Sequence, residues 1–276
     1  MKSFEDKVAA ITGASSGIGR ALAIELGRKR CNVALSDINE EGLQETAERA
    51  RRLGVHVTST VVDVANREAV HAWADQVVHD HGKANLIFNN AGVALASTVE
   101  GMSYGDFEWL MDINFWGVVH GTKAFLPHLK AAGDGHIVNV SSVFGLAGIP
   151  SQSAYNSAKF AVRGFTESLR QELDMMGCGV SASSVHPGGI KTNIARSSRI
   201  DESVRSLGID TDSREKFEKT FITAPDKAAR EILDGIRRNQ RRILVGPDAR
   251  VFDWMVRLLP STYQRITSGY SKLSVK

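Results

Sequence analysis

Tyr155 and Lys159 stand four residues apart, and Tyr155 follows Ser142 by thirteen positions. On a helix, positions i and i+4 share a face, so the ammonium of Lys159 would lie beside the phenol of Tyr155. A free phenol has a pKa near 10 and is a poor base at neutral pH. A neighbouring cation stabilises the phenolate, and a shift of roughly two to three units would bring it towards the range where acid/base catalysis is efficient. A serine hydroxyl at the end of a strand can hold a substrate oxygen while charge develops on it. Ser141 and Ser142 both follow the apolar run 137–140, and strand alternation does not choose between them. Singly, these residues are ordinary: helical tyrosines pack and strand-end serines turn the chain. Together they can move a proton to or from an alcohol oxygen.

A second constellation lies near the N-terminus, in the run Thr12-Gly13-Ala14-Ser15-Ser16-Gly17-Ile18-Gly19. Gly13, Gly17 and Gly19 fall where a strand-like run gives way to a helix-like one. There, missing side chains let the backbone turn tightly and approach a pyrophosphate at the helix N-terminus. The spacing is G-x-x-x-G-x-G rather than the G-x-G-x-x-G of the usual dinucleotide fingerprint. Asp37 ends the next strand-like run, eighteen residues after Gly19. An acidic side chain at that point can accept hydrogen bonds from both adenosine ribose hydroxyls. The same carboxylate repels a 2′-phosphate, and no basic residue stands at Ser16, Ile38 or Asn39 to offset it. The cofactor expected is therefore NAD rather than NADP. Asp37 also reads as a turn or capping residue ahead of Glu40 and Glu41. Arg20 is near the phosphates but leads the helix, where it could equally face solvent.

The elements that must carry these residues are legible in the alternation of short apolar runs with longer runs of helical period. Strand-like runs at 8–11, 32–36, 55–62, 86–88, 137–140 and 180–185 alternate with helix-like runs at 18–30, 40–53, 67–81, 107–130 and 154–176. Such repetition predicts an α/β fold, a single doubly wound, Rossmann-like parallel sheet flanked by helices on both faces. Gly54 and Gly177 read as helix stops. After His186 to Gly189 the pattern breaks, and residues 193–222 are polar and charged, a segment able to close over a substrate. A helix at 225–240, with proline in its first turn, and a strand at 242–245 resume it. Without repeats or linkers, residues 1–276 read as one domain ending in an extension at 247–276. Its Phe252, Met255, Val256 and Leu259 lie at helical spacing among Arg250, Arg257 and Arg265. That stretch reads as packing on the protein body, a neighbouring subunit or the pocket mouth, with a peripheral membrane helix as the second reading.

Composition narrows the classes further. Lys and Arg number 34 against 31 Asp and Glu, too small an excess for nucleic-acid binding. Cys31 and Cys178 form neither a disulfide framework nor a metal cluster, and the eight histidines show no metal spacing. No apolar run reaches the length of a membrane span, and the N-terminal residues do not resemble a signal peptide. A cytoplasmic protein without a metal is expected.

With these motifs in order, the chain resembles the short-chain dehydrogenase/reductase family in its shorter, single-domain form. The residues that carry the likeness are the Thr12 to Gly19 turn, Asp63-Val64, Asn89-Asn90-Ala91-Gly92, Asn114, Ser142, Tyr155 with Lys159, and Pro187-Gly188 with Ile190 and Thr192. The spacing to Tyr155 in that family selects Ser142 over Ser141. The resemblance implies that Tyr155 exchanges the proton and Lys159 also bonds the nicotinamide ribose, while Asn114 holds a water that links Lys159 to solvent. It implies that Ser15, Ser16 and Ile18 complete the glycine cradle, that Asp63 and Val64 meet adenine, and that Asn90, Ala91 and Gly92 line the dinucleotide. Pro187 and Gly188 lead to Ile190 and Thr192, which would hold the carboxamide. Asn89 reads as a residue bridging strands and His186 as structural.

The reaction expected is reversible oxidation of a secondary alcohol to a ketone. The apolar residues Leu95, Val143, Phe144, Leu146 and Ile149 point to a neutral, hydrophobic substrate, with Arg196 and Arg199 the reservation. Family members commonly form homodimers or homotetramers, and Ala158, Ala161 and Gly164 would permit close helix approach. An NAD-binding regulatory protein without turnover is the competing class. A sugar-nucleotide epimerase or dehydratase, which shares Tyr-x-x-x-Lys, usually has other glycine spacing and a larger C-terminal domain.

Overall fold

The computed structural model describes residues 1–194, 196–209 and 221–273, with side chains described to residue 269. The central feature is a seven-stranded sheet in which every neighbouring pair runs parallel. Its strands are β1 (Val8–Thr12), β2 (Asn32–Asp37), β3 (Val57–Val61), β4 (Leu86–Asn89), β6 (Gly135–Val140), β7 (Val180–Pro187) and β9 (Arg242–Val245). They lie in the order β3-β2-β1-β4-β6-β7-β9. The order reverses direction between β1 and β4, and ligands bind beyond the strand ends at such a switch point. A separate two-stranded parallel sheet joins β5 (Leu95–Ala96) to β8 (Arg199–Ile200).

Period-two alternation along fully buried strands divides the core. Ala9, Ile11, Val33 and Leu35 face one layer, formed by α1 (Gly17–Arg28), α2 (Glu40–Arg51) and α7 (Pro225–Arg237). Val8, Ala10, Ala34, Ile87 and Ile137 face the other, formed by α3 (Arg67–His81), α5 (Gly117–Ala132) and α6 (Ser153–Met176). The expected doubly wound sheet with helices on both faces is present. Gly177, at φ 59°, closes α6 in the left-handed region open to glycine.

The continuous helix expected at 107–130 is three pieces: α4 (Tyr104–Met111), a π-helical turn (Asp112–Trp116) and α5. A π turn inserts a residue without interrupting the run of helical residues, so apolar periodicity does not register it. Asn89 Nδ2 donates to Asn139 Oδ1 at 2.8 Å and Thr122 Oγ1 at 3.2 Å, tying β4 to β6 and α5. It bridges strands as the sequence suggests. No helix among the described residues is long and apolar enough to cross a membrane.

Candidate active site

Strand β6 delivers both serines, and local hydrogen bonding separates their roles. Ser141 Oγ donates to the Lys159 carbonyl at 2.8 Å, fastening the strand end to α6. A Cβ on Gly145 would overlap that hydroxyl, so Gly145 is small because Ser141 is turned towards α6. Ser142 instead caps a short 3-10 turn, Val143–Gly145, its Oγ accepting the Phe144 amide at 3.1 Å. Its carbonyl accepts from Nδ1 of the buried His186 at 3.0 Å. Burial pushes the His186 imidazole down to about 4, so it remains a neutral prop under Ser142.

Tyr155 and Lys159 occupy adjacent turns of α6, with Phe144 edge-on to the Tyr155 ring at 6.0 Å between centroids. Burial holds the phenol up at about 12, and a hydrogen bond with the Ser142 side chain pulls it the other way. Lys159 is 3% exposed, and burial brings its ammonium down to about 8. Nζ donates to the Val140 carbonyl at 3.0 Å and stands 5.6 Å from the Tyr155 ring centroid. The depressed phenol expected from sequence is not found in the protein chain alone. Desolvation opposes the phenolate, and Nζ is engaged with a backbone carbonyl. The pair is therefore a phenol that keeps its proton and a lysine that releases one near neutrality.

Asn114 sits in the π turn, fully buried, where its side chain grips both backbone groups of Val93. Nδ2 donates to the Val93 carbonyl and Oδ1 accepts the Val93 amide, each at 2.8 Å. A Cβ on Gly92 would lie 3.1 Å from Asn114 Oδ1 and 3.5 Å from Lys159 Nζ. Glycine at 92 thus brings Asn114 and Lys159 to one point at the end of β4.

The glycine turn closes against the same strand end. Gly13 has φ 66°, and a Cβ there would lie 2.8 Å from the Ala91 Cα; one on Gly19 would overlap the Gly13 carbonyl. Asn90 Nδ2 donates to the Thr12 carbonyl at 2.9 Å and the Gly13 carbonyl at 3.2 Å. Thr12 Oγ1 accepts the amides of Asn90 and Ala91, each at 3.0 Å. Side-chain oxygens of Asn39, Asn66 and Ser103 cap α2, α3 and α4, whereas no side chain caps α1 at Ser16. An uncapped helix N-terminus behind a side-chain-free turn suits a pyrophosphate.

Asp37 stands beside this turn, Oδ2 accepting the Ser15 amide at 3.0 Å and Oδ1 the Asn39 amide at 2.9 Å. These bonds fix the carboxylate and leave lone pairs for further donors. Arg20 points to α2, with Nε on Thr46 Oγ1 at 3.0 Å and a 2.7 Å ion pair to Glu45. It is a structural tie rather than a free cation near the turn.

The remaining predicted cofactor residues converge less uniformly. Asp63 is exposed and accepts the Ala65 amide at 2.9 Å, while Val64 is buried against Gly117. Beyond β7, the loop from Pro187 and Gly188 through the buried Ile190 carries the Thr192 methyl to 3.0 Å from a Cβ position on Gly17. The loop after β7 and the glycine turn are thus neighbours.

Of the expected covering segment at 193–222, residues 195 and 210–220 lie outside the described residues. The described part pairs Arg199–Ile200 with Leu95–Ala96, tying the segment to the stretch after β4. Arg199 packs on the Trp109 ring at 3.6 Å and bonds Asp106 Oδ1 at 2.9 Å, so it is a latch holding the segment to α4. Asn156, next to Tyr155, was not marked by the sequence motifs; its Nδ2 donates to the Ile149 carbonyl at 3.0 Å and shapes the loop after Ser142. Its position beside the motif tyrosine was the available signal.

Comparison with known proteins gives one consistent result. The sequence profile described as short chain dehydrogenase matches residues 7–203. SadH of Mycobacterium tuberculosis is 48% identical over 274 residues, covering 98% of this chain and 96% of its own. The C alpha-dehydrogenase of Sphingobium is 33% identical, over 91% of this chain and 84% of its own length. A short chain dehydrogenase/reductase of Burkholderia phymatum, solved in complex with NAD, superimposes with a TM-score of 0.85 at 32% identity, covering 96% of each chain.

Proposed function

The chain belongs to the short-chain dehydrogenase family and is an oxidoreductase, and from that premise we propose that it interconverts a secondary alcohol and a ketone with NAD. The observation that carries this reading is the convergence of Ser142, Tyr155 and Lys159 at the end of the sheet, next to the uncapped helix behind Gly13. Bound NAD would supply the hydride acceptor for oxidation, and its reduced form the donor for the reverse reaction. Gly13, Ser15, Ser16, Gly17, Ile18 and Gly19 would hold the pyrophosphate, Asp37 the adenosine ribose, and Asp63 and Val64 the adenine. Asn90, Ala91 and Gly92, with Pro187, Gly188, Ile190 and Thr192, would line the nicotinamide half. The Asp37 carboxylate, fixed by two amides, is the reason to favour NAD over NADP.

In the reductive direction, the Tyr155 phenol gives its proton to the carbonyl oxygen as that oxygen gains charge, while Ser142 Oγ donates a hydrogen bond to the same atom. In oxidation Tyr155 takes the alcohol proton as its own proton passes on, and a neutral Lys159, linked to solvent by a water that Asn114 would hold, would receive it. The apolar cluster of Leu95, Leu110, Ala154 and Ala158, with Val93, Phe107 and Tyr155 against it, supports a neutral hydrophobic substrate. Trp116 and Phe160 are 48% and 41% exposed on the π turn and α6, which supports a homodimer or homotetramer formed across these helices. A cytoplasmic, one-domain enzyme is the accompanying reading.

The test is an NADH-formation screen over secondary alcohols of graded size and polarity, with NADP in parallel at equal subsaturating concentration. Turnover that favours NAD and apolar alcohols is expected. Faster turnover with NADP would contradict the role given to Asp37. No turnover across the panel, with NAD still bound, would favour a regulatory protein.

A further inference from the structure

Beyond β9 the chain continues as α8 (Pro247–Leu258) and α9 (Tyr263–Leu273), outside the stretch matched by the family profile. Of the four apolar residues expected to pack, Phe252, Met255 and Val256 are half-buried and Leu259 is exposed; their neighbours Val251, Trp254 and Leu258 are exposed as well. Two polar side chains of this segment end in the two loops that border the candidate site.

The first is Asp248, in the opening turn of α8. Its Oδ2 accepts the Gly189 amide at 2.6 Å, inside the loop between β7 and Thr192. A Cβ on Gly188 would overlap the same carboxylate, so Gly188 lacks a side chain because Asp248 fills that space. Asp248 Oδ1 and Thr223 Oγ1 are both buried with no partner among the described residues. They lie 2.6 and 2.8 Å from a Cβ position on Gly246. Thr223 pairs through its backbone with the same loop, its amide donating to the Gly189 carbonyl and its carbonyl accepting the Lys191 amide.

The second is Tyr263, at the start of α9 and 7% exposed. Its Oη accepts the Gly148 amide at 3.0 Å, in the loop that follows Ser142. The next residue of that loop, Ile149, is held through its carbonyl by Asn156 Nδ2. If packing alone mattered, phenylalanine would serve at 263. The hydroxyl is used on a backbone amide that would otherwise lack this acceptor.

We propose that residues 247–263 are a clamp that fixes the nicotinamide-side loop and the substrate-side loop relative to one another. Asp248 is the positioning residue for the first loop and Tyr263 for the second. The ligands assigned to the loops rest on the redox reading given above; the clamp itself rests on the two contacts. One continuous piece of chain spans both loops, so the spacing between cofactor and substrate is set from outside the sheet.

Hydrogen exchange read by mass spectrometry on the full chain tests the clamp without turnover. Tyr263→Phe is expected to speed exchange of residues 142–150 about tenfold and leave 187–192 unchanged, and Asp248→Ala to do the reverse. NAD titration and alcohol kinetics add a second readout. Asp248→Ala should weaken NAD binding about tenfold, and Tyr263→Phe should raise the KM of the best alcohol about tenfold with NAD affinity within twofold. Unchanged exchange in the assigned loop overturns the clamp. So does loss of protection that spreads across the sheet strands in either variant, since that signals general destabilisation. A wild-type protein that fails to bind NAD would overturn the redox reading, while exchange in the two loops would still decide the clamp.

Discussion

At the scale of single residues, the proposed acid/base pair consists of two groups whose burial shifts them in opposite directions. Tyr155 keeps its proton to about 12, and Lys159 gives one up at about 8. The group that titrates near the working pH is the lysine. Alcohol oxidation must dispose of a proton and carbonyl reduction must supply one. Oxidation is therefore expected to rise as pH increases through about 8, and reduction to fall over the same interval. Lys159→Arg, whose guanidinium stays protonated, should flatten both profiles. Profiles that keep their inflection near 8 in that variant would show that another group titrates. Tyr155→Phe keeps the ring and its contact with Phe144 but has no proton to exchange. Turnover should fall by about 10² to 10⁴, the usual worth of a positioned acid or base, with NAD affinity within a few-fold. Turnover retained in Tyr155→Phe would remove the central assignment. The spacing of Ser142, Tyr155 and Lys159 was legible in sequence because the helix repeat converts a four-residue interval into a shared face. The direction of the tyrosine shift was not. It depends on how much water each group loses and on the Val140 carbonyl that takes Nζ, and neither is written in spacing.

At the scale of elements, alternation of apolar runs was sufficient to anticipate the sheet and its two helical layers. What it could not carry were contacts whose partners are backbone atoms or aromatic faces distant in sequence. The π turn that positions Asn114 is one case. The seam between Leu95–Ala96 and Arg199–Ile200 is another, since two-residue strands have no period to read. Arg199 illustrates the difference. From sequence it was a cation that could reach a substrate, but in the fold it lies on Trp109 and bonds Asp106. Removing it should loosen the described part of the 193–222 segment. A cation–π contact of about 0.5–1 kcal/mol at a half-exposed site corresponds to a KM increase of about two- to fivefold for a hydrophobic alcohol in Arg199→Ala. NAD affinity should not move, and Arg199→Lys should recover part of the loss. Steady-state kinetics alongside NAD titration separate the two effects. An unchanged KM would show that the latch does not govern the substrate side.

At the scale of the whole molecule, buried histidines couple the integrity of the sheet to acid. His136 is fully buried in β6, with Nε2 2.8 Å from Ser183 Oγ, and burial pushes it down to about 3. His186 in β7, the prop under Ser142, is pushed down to about 4. In the unfolded chain both return to about 6.5. His81, at the end of α3, is likewise pushed down to about 4 by burial, so below pH 6.5 the unfolded state binds three protons that the folded state refuses. Their contribution is therefore fully present above pH 6.5, is eroded as pH falls towards 4, and is exhausted below about 3. Three protons correspond to a slope of about 4 kcal/mol per pH unit near pH 5. Lys159 acts in a separate window, because its unfolded and folded values bracket the range above pH 8. Urea unfolding followed at a series of pH values should thus show stability nearly level from pH 7.5 to 6.5 and falling steeply below it. His136→Gln retains a polar side chain without the titration, and the slope near pH 5 should drop by about a third. Equal slopes in the two proteins would place the acid sensitivity elsewhere. Because His186 shares this window and supports the Ser142 carbonyl, activity lost in acid should follow the unfolding transition and return on neutralisation wherever unfolding itself is reversible.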